Sequence, residues 1–99
     1  MVTRESVPAN PDQVRVTFSV PASLWVDSIY LVGDFNEWDR ARTPLRKDEE
    51  RWSVSLLLER GRAYTYRYLV DLHEWMSDWN ADGFSVGQDG TSSSIIIAV

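Results

Sequence analysis

A chain of 99 residues with 15 acidic and 10 basic side chains has room for one two-layer core, and its net charge of −5 repels phosphate backbones and anionic lipid surfaces. That size leaves no room for a catalytic barrel or a nucleotide-binding sheet beside the core. With no cysteine there are no disulfides and no thiolate metal sites, so five Trp, four Tyr and three Phe must help to supply the packing that holds the fold.

Residues 1–12 are polar, contain Pro8 and Pro11 and have no apolar period, which predicts a flexible leader ahead of a domain covering residues 13–99. The leader also lacks the apolar segment of a signal peptide or membrane span, so a cytoplasmic, soluble protein is expected. Gln13 to Val20 alternates strictly, with Val14, Val16, Phe18 and Val20 on one face, until Pro21 stops the ladder. Ser28 to Asp34 reads as a second strand that runs into a turn carrying Trp38. A short strand is expected over Thr43 to Lys47. Arg51 to Leu58 alternates again, with Trp52, Val54, Leu56 and Leu58 inward.

Arg62 to Asp71 is the longest predicted strand; Tyr64, Tyr66, Tyr68 and Val70 share one face, so Arg67 points away from the tyrosines. His73 to Ser77 reads as a short strand. Ser94 to Val99 closes the chain with Ile95, Ile96 and Ile97, a run suited to a strand covered on both faces. With six to seven short strands and no amphipathic helix, the pattern predicts an all-β, immunoglobulin-like antiparallel β-sandwich.

Trp38, Arg67 and Trp75 stand out, each at a strand end or off the tyrosine face. A sugar ring lays its C–H face on an indole while its hydroxyls seek donors, and two tryptophans with an arginine meet both needs. The plainer reading is that the tryptophans plug the core and Arg67 is a solvated charge. Within the turn itself, Phe35 is expected to plug the core edge and Trp38 to face solvent.

The same residues carry a resemblance. Val32-Gly33-Asp34-Phe35-Asn36-x-Trp38, Pro44-Leu45, Trp52-Ser53-Val54, Gly61, Tyr66-Arg67-Tyr68-Leu69-Val70-Asp71, Trp75 and Asp78 resemble family 48 carbohydrate-binding modules, the isoamylase early-set domains, over residues 14–99. Such modules accompany the barrel of family 13 glycoside hydrolases that branch or debranch α-glucans, and form the glycogen-binding domain of AMP-activated protein kinase β subunits. The resemblance implies an early-set sandwich that binds α-glucan without catalysis or cofactor. It places Trp38, Arg67 and Trp75 on the glucan platform, joined by Asn36, Thr91 and Ser93. Where glycogen-binding members have Leu-Gly-Thr-x-Asn, this chain has Asp89-Gly90-Thr91-Ser92-Ser93, and their Val-Asp-Gly turn is here Val70-Asp71-Leu72. The alternative is an early-set domain that docks on a glucan-metabolising enzyme or regulator without binding sugar.

Other chemistry finds less support. Asp78-x-Asn80-x-Asp82-Gly83, followed by Asp89, fits part of a calcium-loop pattern, but strands are expected to flank it where helices should, and such runs are ordinary turn chemistry. A glycosidase needs two carboxylates about 5–10 Å apart around a sugar, one of them desolvated, whereas the aspartates here sit in turn contexts. His73 is the only histidine and has no cysteine or second histidine with which to hold a metal. Neither an enzyme nor a metal site is expected.

Overall fold

The computed structural model describes residues 2–22, 26–78, 81–86 and 92–98. Among them the chain forms nine strands: β1 (Val2–Ser6), β2 (Gln13–Pro21), β3 (Ile29–Gly33), β4 (Arg46–Lys47), β5 (Arg51–Glu59), β6 (Ala63–Val70), β7 (Glu74–Met76), β8 (Gly83–Val86) and β9 (Ser92–Ile97). One antiparallel sheet has the order β1-β2-β5-β4 and the other β3-β6-β9-β8, with β7 paired to β6 beyond the reach of β9. This is an immunoglobulin-like β-sandwich. No helix of the described residues is long and apolar enough to cross a membrane.

The period-2 pattern explains how the sheets meet. Val14, Val16, Phe18 and Val20 of β2 are buried, and they face Ile29 and Leu31 of β3, Tyr64, Tyr66 and Tyr68 of β6, and Ile96 of β9 in one core. Burial of such side chains contributes about 1.5–3 kcal/mol each. Phe18 packs edge-on against Tyr66 with ring centres 5.0 Å apart. Phe35 closes one end of this cluster against Phe18, Tyr64 and Tyr66, as its place in the turn predicts.

Four expectations change. Residues 2–6, assigned to a flexible leader, form β1 instead, paired with β2 from Val2 opposite Phe18 to Ser6 opposite Val14. Pro8 and Pro11 fall in the connection, where a missing N–H costs no ladder bond. The strand count is nine rather than six to seven, because β1 and β8 add to the edges.

Thr43 to Lys47 is divided between the sheets. Leu31 N–H donates to Thr43 O and Leu45 N–H to Ile29 O, while Arg46 and Lys47 pair with β5. Pro44, which has no N–H to donate, sits at the crossing in a single bridge to Tyr30. Finally, Ile96 is fully buried but Ile97 is 42% exposed, so the face of the last strand that carries Ser93, Ile95 and Ile97 is covered only in part.

Candidate functional site

The tyrosine face of β6 belongs to the core. The hydroxyls of Tyr66 and Tyr68 both donate to Oδ2 of the buried Asp78, at 2.9 and 3.1 Å, and Asp78 N–H donates to Ser94 Oγ at 2.7 Å. Burial, with the adjacent carboxylate, pushes both tyrosines far above their ordinary pKa and keeps them protonated as donors. Asp78 is therefore a structural acceptor. Asp82, also of the calcium pattern, accepts from Arg4 and from Ile97 N–H. Burial works against its charge, yet these two donors hold its carboxyl below the usual range. Both aspartates are already committed to protein donors; Asn80 and Asp89 lie outside the described residues.

The opposite face of β6 gathers the remaining candidates. Strand register places Val32 of β3 across from Arg67, and both Tyr30 of β3 and Trp75 of β7 across from Leu69, so these side chains share the outer surface of the sheet. The Arg67 guanidinium carbon lies 5.7 Å from the centre of the Trp75 ring. Arg67 Nε donates to Ser93 Oγ at 2.8 Å. Trp75 remains 38% exposed. Three of the residues singled out in the sequence thus form one contiguous group.

Trp38 is presented by a separate turn. After β3, residues Asp34–Asn36 make one turn of 3₁₀ helix, and Glu37 and Trp38 both adopt the left-handed conformation, with φ of 59° and 58°. That conformation costs an L-residue roughly 1–2 kcal/mol and persists only where the surroundings enforce it. Asn36 enforces it here: its Oδ1 accepts from Gly33 N–H, and its Nδ2 donates to Leu31 O and Thr43 Oγ1. Gly33 is required for close approach, because a Cβ there would meet Thr65 O at 2.6 Å and Tyr66 Cβ at 2.8 Å. Asp34 then aims the indole, accepting from Trp38 Nε1 at 2.9 Å with Oδ1 and from Thr65 N–H at 2.8 Å with Oδ2.

Two of the expected sugar-contacting residues are engaged within the protein. Asn36 was expected to contact sugar, but it is buried and its side chain is spent holding the turn. Ser93 is likewise buried, and its hydroxyl positions Arg67 from beneath. Thr91 lies outside the described residues.

Trp38 is 37% exposed and makes no ring contact with Trp75. The link between them is Arg40, whose guanidinium carbon lies 5.3 Å from the Trp75 ring centre. Arg40 lies two positions beyond Trp38 in the loop, about 7 Å of extended chain. Sequence reasoning missed Arg40, which belongs to no strand period. It also missed the aiming role of Asp34, although the four-residue spacing to Trp38 was a visible signal.

Chemically, the outer face of β6 offers the Trp75 indole with two guanidinium groups over its ring, and the Trp38 indole stands exposed on its own turn. No known protein family matches the chain, and no curated protein matches it.

Proposed function

We propose that the chain is a non-catalytic α-glucan-binding module of the family 48 type, taking glycogen, starch or maltooligosaccharides. Trp38 and Trp75 stack against glucose rings, and Arg67 donates to ring hydroxyls. The observation that carries this reading is the juxtaposition of Arg67 and the partly exposed Trp75 ring, the guanidinium carbon over the ring at 5.7 Å on the outer face of the sheet, which puts a donor and an apolar surface together. The aimed and exposed indole of Trp38 supports it, since a side chain needed only for packing gains nothing from standing on a strained turn.

Isothermal titration with maltoheptaose or β-cyclodextrin tests the proposal, and heat of binding is expected at millimolar sugar or below. No heat in that range contradicts it. Trp38→Ala is expected to abolish binding at little cost in stability, in contrast to the ~3–5 kcal/mol lost when a core tryptophan such as Trp52 is truncated.

A further inference from the structure

β3 ends at Gly33, opposite Tyr66, whereas β6 begins earlier, at Ala63. Beyond Gly33 the β6 ladder loses its strand partner on that side, and the next N–H is that of Thr65. Asp34, the first residue after β3, supplies the acceptor with Oδ2 at 2.8 Å, while its Oδ1 accepts from Trp38 Nε1 at 2.9 Å. We infer that Asp34 is a positioning residue of the sugar platform: by tying the Trp38 indole to β6, the strand that carries Arg67, it sets the affinity for α-glucan. The inference rests on the glucan reading and adds to it a residue that acts through another side chain.

Alternation puts Thr65, Arg67 and Leu69 on the outer face of β6, each about 6.5–7 Å from the next. Trp75 of β7 pairs with Leu69, and the Arg67 guanidinium lies over its ring. Trp38 Nε1 and Thr65 N–H meet the two oxygens of one carboxylate, so the edge of the indole is anchored at the Thr65 end of that row. Trp38, Arg67 and Trp75 are thereby referred to one strand. Each has its own tether: Arg67 is held by Ser93 Oγ, Trp75 by the pairing of β7 with β6, and Trp38 by Asp34.

The backbone of the turn has another support, because the Asn36 side chain bonds Gly33 N–H, Leu31 O and Thr43 Oγ1. The bond from Trp38 Nε1 to Asp34 holds a side chain instead. An exposed indole released from it would sample other rotamers, and the sugar would have to order it again on binding. A carboxylate suits the task, since an ionised acceptor makes the shorter and stronger bond. The same bond occupies the one polar atom of the indole, so Trp38 presents a sugar with its apolar face alone.

The test is titration of the full chain and of Asp34→Ala with maltoheptaose, repeated in a Trp38→Phe background, where a ring remains but the N–H is gone. Asp34→Ala is expected to weaken binding roughly five- to tenfold, the cost of ordering a freed side chain. In the Trp38→Phe background the same change should alter affinity less than about twofold, because no N–H is left to aim. Exchange of the Trp38 indole N–H with solvent should quicken in Asp34→Ala, while that of the other four tryptophans stays as it was. Undiminished binding by Asp34→Ala overturns the inference and leaves the glucan reading intact. An equal loss in both backgrounds does the same, since Asp34 would then be a prop of the fold. Should Trp38→Phe bind too weakly to titrate, the exchange decides: weakened binding with the Trp38 N–H unchanged overturns the positioning role. No heat from the unaltered chain overturns both readings.

Discussion

Asp34 serves the strand and the indole at once, one carboxylate oxygen on Thr65 N–H and the other on Trp38 Nε1. Its neighbours show the same economy: Gly33 leaves space that a methyl group would close, and Asn36 holds the turn from within. The second left-handed pair, Asp71 and Leu72, leads β6 into β7 and so sets the approach to Trp75. Asp71 is secured by accepting from the backbone N–H groups of Asp27 and Ser28. Leu72 has a φ of 65° and is 65% exposed, so its backbone is strained and its side chain gains no compensating burial. Leu72→Gly is therefore expected to stabilise the protein by about 0.5–1 kcal/mol, seen as a higher urea midpoint at unchanged slope. A lowered midpoint would mean that the leucine contributes packing that outweighs the strain.

At the scale of elements, β1 is joined to its own sheet by pairing with β2 and to the other by Arg4. The guanidinium reaches across the sandwich to Ile97 O, at 3.0 Å, and to Asp82, which also accepts from Ile97 N–H. The carboxyl of Asp82 is held below its ordinary value of 3.8, so the folded state favours its charged form. The stabilisation is then present above pH 3.8 and is lost as pH falls through the lowered folded value. Asp82→Asn should accordingly lower the thermal midpoint at neutral pH, with wild type and variant converging below pH 3.8. A gap that persists into strong acid would show that Asp82 acts by shape rather than charge.

These contacts also show why some elements were legible in the sequence and others were not. β2, β5 and β6 bury alternate residues, and that alternation is written in the chain. β1 offers little apolar pattern in Val-Thr-Arg-Glu-Ser and exists because β2 presents an edge and Asp82 a partner, both distant in sequence. The short edge strand β8, whose Phe84 and Val86 are exposed, was hidden for the same reason.

For the molecule as a whole, the two faces of β6 divide the work. The tyrosine face closes the core and satisfies Asp78, and the other face carries Arg67 beneath Trp75. Trp38, Arg67 and Trp75 could be named from sequence because strand ends and alternation place them. The burial and partners of Asn36 and Ser93 were not legible because they depend on which loops cross, and Arg40 was missed because its contact is purely tertiary. The central claim is that Trp38 and Trp75 serve one sugar. The most direct measurement follows the indole N–H resonances of the five tryptophans during titration with maltoheptaose. The Trp38 and Trp75 signals should move together along one binding curve while that of buried Trp52 stays still; if neither moves, or if only one of them does, the shared platform is contradicted.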